Sequence, residues 1–261
     1  MTSPKAAANE IIGMMQYLFQ GPDEIAPAIE SNFPHIDFSK YKDIEDTLSK
    51  EGFKKISDVE LVNITNDPAS LYKKTLIRSF TSNDGSLVIS CYELRPKWTR
   101  LISLLIRGLL AFRFIDAPSF FISMIPARFI LDIESQLFDN TFIVTSNAAA
   151  AGFLKGPPTI DELHLPYNTS LEHLMSSHLT RVTKNTHNDI KVHPILNDKD
   201  LIEMQTNLKL EKSAHRSSCD WITKDEIDMM CQGNYEISKI VYKEIRKLID
   251  EHKKHDNKTN G

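Results

Sequence analysis

Tyr72–Leu94 reads YKKTLIRSFTSNDGSLVISCYEL, and this stretch decides the fold class. Two extended runs, Tyr72 to Phe80 and Ser86 to Leu94, flank Thr81-Ser-Asn-Asp-Gly85, a short glycine-containing connection of the kind that closes hairpins. Further along, Arg128 to Phe138 and Thr141 to Ser146 repeat the arrangement across Asp139-Asn140. In the first of these runs Phe129, Leu131, Ile133 and Leu137 alternate with Ile130, Asp132, Glu134 and Gln136, so one face is apolar and the other mixed. Two such hairpins predict an antiparallel sheet covered on its apolar face by helices. Phe53 to Thr65 adds another extended run, with an irregularity at Ser57-Asp58.

Helical patterns fill the rest. Ile11, Ile12, Met15, Leu18 and Phe19 form an amphipathic stripe near the start, and Pro22, Pro27 and Pro34 mark an irregular connector to Lys40. Ala148 to Leu154 reads as a short helix, and His193-Pro-Ile-Leu as a last short strand. Thr169 with Glu172, and Thr223 with Glu226, match the capping box that opens helices. Asn197 with Asp200 opens another, and Ile237, Ile240, Val241, Ile245, Leu248 and Ile249 make the stripe of a long C-terminal helix. Strands and helices are segregated, which predicts an α+β protein rather than a doubly wound parallel sheet. The division expected is an N-terminal helix and connector over 1–40, one α+β domain over 41–252 with a helical part from about 169, and a disordered polar tail over 253–261.

Between the two hairpins lies the most unusual composition in the chain. Arg95–Phe114, RPKWTRLISLLIRGLLAFRF, holds five cations and no acid. On a helical wheel Arg100, Ser103, Arg107 and Ala111 share one narrow stripe, and leucines, Ile106 and Phe112 cover most of the remainder. Such a helix is buried in its own fold, docked on a partner, or laid in a membrane interface. A span is not expected, because Arg107, Arg113 and Asp116 interrupt the ~20 uncharged residues that the hydrocarbon core requires. The function expected is therefore that of a non-catalytic cytoplasmic protein. It would use residues 95–125, with Lys97, Trp98, Arg100, Arg107 and Arg113 as contacts, to dock a protein partner or an anionic membrane surface, giving peripheral membrane association.

The totals narrow the alternatives. With 261 residues, 41% apolar and 25% charged, the chain has material for a large core, and its net charge of −4 argues against nucleic acid as a partner. Three scattered cysteines, Cys91, Cys219 and Cys231, predict free thiols rather than a disulfide framework, and no cationic apolar leader opens the sequence.

For catalysis the candidates are His215 and Cys219, within His215-Arg-Ser-Ser-Cys219-Asp-Trp221, together with His178. They define a rival reading, an enzyme with its site on the helical half. His173 and His178 are five apart and project away from each other on a helix, so no metal site is expected. The glycine-rich phosphate fingerprints are absent, and no cofactor is expected. Ser146 and Asn147, at the end of a strand before a run of alanines, are candidates for anion or ligand binding and define a third reading, a small-ligand module with its pocket between sheet and helices. Asp132 and Glu134 share a strand face with Arg128; paired carboxyls can divide acid and base roles, but the pattern also reads as a solvated face of mixed charge.

Overall fold

Residues 77–81 and 88–94 pair antiparallel as β3 (Ile77–Thr81) and β4 (Val88–Leu94), with Ile77 opposite Tyr92 and Thr81 opposite Val88. The computed structural model describes residues 4–21, 23–62, 70, 72–97, 128–149, 152, 154–186, 191–231 and 234–259, with backbone alone at 252 and 254–259. The β3–β4 turn is built by Asp84, whose carboxylate accepts from Ser82 Oγ and the Ser86 backbone, and by Gly85 at φ 73°. Glycine is required there twice over. Its backbone is left-handed, and a Cβ would lie 2.8 Å from the Ile195 nitrogen.

From this pair the sheet grows in both directions. β5 (Arg128–Gln136) pairs with β4 from Val88↔Glu134 to Leu94↔Arg128, and β6 (Phe142–Ser146) pairs back on β5 through the Asp139-Asn140 turn, where Asn140 has φ 63°. On the other side β2 (Lys54–Leu61) adds to β3 with a register shift between Lys55 and Ser57, and β1 (Ile25–Pro27) adds to β2. β7 (Ile160–His164) joins β6 in parallel. The result is one seven-stranded sheet whose strand order follows the sequence. The class is α+β, but the sheet is mixed and larger than two hairpins: β1 lies within the proline-marked connector, and β7 follows a crossover from 147 to 159 that lets it run parallel.

The helices are α1 (Pro4–Phe19), α2 (Ser39–Lys50), α3 (Leu171–Asn185), α4 (Asp198–Ser218), α5 (Lys224–Met230) and α6 (Tyr235–Thr259). Coverage on one face alone was expected; both faces are covered. On the first face, Phe80, Ile89, Cys91, Leu131 and Ile133 pack with Tyr41 and Leu48 of α2 and Leu174 of α3. On the second, Val88, Phe142, Val144 and Ile160 pack with Leu201, Met204 and Leu208 of α4. A third cluster joins the two ends of the chain, with Ala8, Ile12 and Met15 of α1 against Ile227 of α5 and Val241, Ile245, Leu248 and Ile249 of α6.

Local differences from the sequence reading have local causes. Ser170, not Thr169, caps α3, its side chain accepting from the His173 backbone, whereas Thr223 and Glu226 form the full reciprocal box at α5. His193–Leu196 is no strand: Val192 makes one bridge to Leu137 and Ile195 donates to the Gly85 carbonyl. α6 continues to Thr259 where a disordered tail was expected from Lys253; Lys253 Nζ is held 2.6 Å from Asp220 Oδ1, and Arg246 also pairs with Asp220. The cysteines are free thiols, Cys91 within β4 and Cys231 at the end of α5. Part of the helix expected over 148–154, and all of 98–127, lie outside the described residues.

Candidate functional site on the polar face of the sheet

The period of two places Tyr92 of β4, Asp132 and Glu134 of β5, Ser146 of β6, and Glu162 and His164 of β7 on the face that α4 covers. Asp132 stands opposite Ser146, and Ser146 opposite His164. In the next row Glu134 stands opposite Val144, and Val144 opposite Glu162. From above, α4 contributes Gln205, which donates to Glu134 Oε2, and Lys212, whose Nζ lies 2.7 Å from Glu162 Oε1. Tyr92 donates its hydroxyl to Asp132 Oδ2 at 2.8 Å. Ser146 also bonds Asp132, and its Oγ accepts the Ala148 backbone at 3.0 Å. His164 Nε2 lies 3.9 Å from Glu162 Oε2, while its buried Nδ1 has no hydrogen-bond partner among the described residues. The crossover passes so near that a Cβ on Gly156 would stand 2.9 Å from Glu162 Oε2.

The carboxyls on this face are shifted in opposite directions, Asp132 and Glu134 upward and Glu162 downward. Burial raises the Asp132 pKa, against the hydrogen bonds from Ser146 and Tyr92. Burial, then the Asp132 charge, pushes Glu134 up to about 7, with Lys212 and Gln205 acting the other way. Glu162 goes in the opposite direction. Burial opposes its ionisation too, but the neighbouring His164 ring and the Lys212 ammonium outweigh this and hold it at about 2. Titratable groups whose surroundings separate their pKa values are the raw material of acid–base chemistry.

The residues singled out from the sequence are distributed more widely. Arg95 pairs with Glu93 at 2.7 Å, Pro96 bridges to Tyr72, and Lys97 is half-buried at the point where the described chain breaks off. Trp98, Arg100, Arg107 and Arg113 lie outside the described residues. His178 is fully buried on the opposite face of the sheet, its ring 3.0 Å from both Ser135 Oγ and Thr145 Oγ1. Burial, reinforced by the Arg181 charge, lowers its pKa to about 3, so it is a neutral polar plug.

His215 and Cys219 flank the residue that matters in their run. Arg216 Nη1 donates to both Glu226 oxygens at 2.7 and 2.8 Å, and Nη2 to the Lys155 carbonyl at 2.7 Å. The Cys219 thiol donates to the Arg216 carbonyl, and burial raises its pKa, the opposite of an activated nucleophile. Asn147 is also committed to the backbone: Oδ1 accepts from Leu131, and Nδ2 donates to Phe129 and Tyr167. Ser146, its neighbour, is the one that faces the polar cluster.

Glu162, His164, Gln205 and Lys212 were not read from the sequence. For Glu162 and His164 the one signal is the alternation within Ile160-Asp-Glu-Leu-His164, too short and too charged to announce a strand. Asp132 and Glu134 were seen, but as a solvated face; α4 covers it, and Glu134 is 8% exposed. Among the described residues, no three His, Cys, Asp or Glu side chains are arranged to hold a metal ion, and no helix is long and apolar enough to cross a membrane. Comparison with family models, curated proteins and solved structures gives no match to this chain.

Proposed function

We propose that this protein docks through residues 95–125 on an anionic surface. A membrane leaflet is the occupant that the composition fits best, and an acidic protein partner is the other. The observation that carries the reading is the connection between β4 and β5. Leu94 pairs directly with Arg128, so the 33 residues between them leave and rejoin the sheet at one point. Connections between paired strands are commonly two to five residues, and long ones in compact domains are usually functional. This one carries five cations before its first acid, Asp116, among leucines, isoleucines and phenylalanines. Apolar insertion with cations at the headgroup level is how interfacial segments hold a surface, and each basic group near an anionic leaflet contributes about 1 kcal/mol. The location this implies is the cytoplasmic side of a membrane, where anionic lipids concentrate.

Vesicle sedimentation tests the reading. Anionic vesicles are expected to carry the protein down and neutral ones are not, with binding weakened at high salt by screening. Arg100→Glu with Arg107→Glu is expected to abolish the association. Equal binding to neutral and anionic vesicles would overturn the proposal, and so would full binding by the reversed variant. Capture by an acidic protein without any vesicle binding would assign the segment to the second occupant.

A further inference from the structure

We infer that the folded body meets an anionic lipid leaflet end-on, through a basic pole formed where residues 95–125 leave and rejoin the sheet, so that the strands stand upright on the membrane. The inference deepens the reading of that segment as a membrane-docking element and rests on it. What it adds is a second set of contacts, carried by residues of the folded body. Lys73 donates its backbone N–H to the Arg95 carbonyl, and Tyr72 bridges to Pro96, so Lys73 stands beside the outgoing chain. Lys97 follows one residue later. Arg128 opens β5 opposite Leu94, and its guanidinium lies 4.2 Å from the centre of the Tyr167 ring. Lys40, in the first turn of α2, has its Nζ 6.0 Å from the ring centre of Phe129, the next residue of β5. Lys40 and Lys73 are exposed. Four cations, distant from one another in sequence, thus gather at one end of the sheet.

The acids at this end do not cancel them. Glu93 is engaged by Arg95 at 2.7 Å and Glu60 by Lys74 at 3.1 Å, so each of those pairs is neutral. Asp37, which accepts from the Ser39 backbone, and Glu172, in the first turn of α3, leave an excess of positive charge. Glu24 precedes β1, three strands away from β4. The other end of the sheet differs. Val88 lies six residues from Leu94 along β4, about 20 Å away at the strand rise. The turns there carry exposed Asp84 and Asp139. α4 also starts at that end, with Asp198 and Asp200 around Lys199, shortly after Ile195 donates to the Gly85 carbonyl. Charge is therefore polarised along the strands.

The layout favours a flat anionic surface over a single bound anion. Lys73 flanks β3, Lys97 continues past β4 and Arg128 opens β5, so three of the cations form a row across adjacent strands, about 10 Å wide at the strand spacing. Lys40 adds a fourth point from α2. A row of this kind meets many headgroups at once, and long basic side chains extend to a headgroup layer while their stems stay on the protein. Because Leu94 and Arg128 are paired, the segment and the row start from the same plane. Interfacial binding grows with apolar area and with attraction to anionic lipid together, and here the segment supplies the first and the pole adds to the second.

The test sediments the full chain with phosphatidylcholine vesicles that contain phosphatidylserine. Lys40→Gln with Lys73→Gln is expected to lower partitioning roughly 25-fold, about fivefold for each basic group removed. Lys54→Gln with Lys199→Gln takes the same charge from the other end, where Lys54 pairs with Thr81, and is expected to change nothing. Unchanged binding by the first pair overturns the inference and leaves the segment's role intact. Equal loss in both pairs overturns it as well, since net charge alone would then decide binding. Failure of the segment reading has a different signature: full binding by Arg100→Glu with Arg107→Glu, together with loss in Lys40→Gln with Lys73→Gln, would leave the pole as the contact. No binding of the unmodified protein overturns both. Should a variant fail to fold, amine acylation of the unmodified protein, read by mass spectrometry, decides. Anionic vesicles must protect Lys40, Lys73 and Lys97 while Lys54 and Lys199 react as before, and protection of all five alike, or of none, rules out end-on docking.

Discussion

Arg216 shows how a residue's role can hide inside a stretch that attracts attention for another reason. The run His215 to Trp221 suggests nucleophile chemistry because a cysteine lies near a histidine and an arginine. The side chain that organises the region is the arginine, 3% exposed and opposed by Glu226 at 0%. Together with the Lys155 backbone on Glu226 and the Arg216 donation to the Lys155 carbonyl, the pair ties the β6–β7 crossover to the α4–α5 corner. Sequence cannot reveal this, because the partners are ten and sixty-one residues away. Removing one member of a buried, hydrogen-bonded pair strands the other charge, so Arg216→Ala should cost about 3–5 kcal/mol in urea unfolding. Arg216→Met combined with Glu226→Leu should cost much less, since no charge is left behind. A double variant as damaged as the single one would mean that the crossover needs the hydrogen bonds themselves.

At the scale of elements, the legible features are those whose signals are local. The β3–β4 pairing announces itself through Asp84 and Gly85, and the α5 start through Thr223 and Glu226, because each signal lies within a few residues of its effect. β7 fails this test. Its five residues carry three charged or titratable side chains, and what makes them a strand is the neighbouring edge of β6, found only after the crossover. The same contrast separates the two capping boxes. At α5 both reciprocal bonds form, Glu226 to the Thr223 backbone at 2.8 Å and the Glu226 backbone to Thr223 Oγ1 at 3.3 Å. At α3 the Thr169 backbone turns to the Pro166 carbonyl and Ser170 takes over as cap. Thr223→Ala and Ser170→Ala should therefore each cost on the order of 1 kcal/mol, and Thr169→Ala close to nothing. A thermal-melt series across the three variants checks the assignment, and an appreciable loss in Thr169→Ala would show that the box reading was right after all.

For the molecule as a whole, the sequence conveys the α+β class and the antiparallel centre but not which polar face is enclosed. Alternation reports that Asp132 and Glu134 share a side; only the fold of α4 over that side converts them from solvated charges into groups with displaced pKa values. The conversion has a consequence for stability against pH. Glu134 in the folded state titrates at about 7, above the ordinary 4.5, so the fold binds its proton more tightly than the unfolded chain does. Its contribution is fully present below pH 4.5 and is lost as pH rises through about 7. Glu162, held at about 2, behaves oppositely: its contribution is present above 4.5 and is lost as pH falls through about 2, and the lowered pKa values of Asp58 and Glu226 act in the same sense. The two trends meet near pH 5, where stability should be greatest, with a loss on the order of 3 kcal/mol from Glu134 by pH 8. Glu134→Gln keeps the shape and the Gln205 contact but has no proton to lose, so its urea midpoint should stay nearly level from pH 5 to pH 8. The unmodified protein should decline over the same range and cross below the variant. Parallel curves for the two proteins would place Glu134 in solvent.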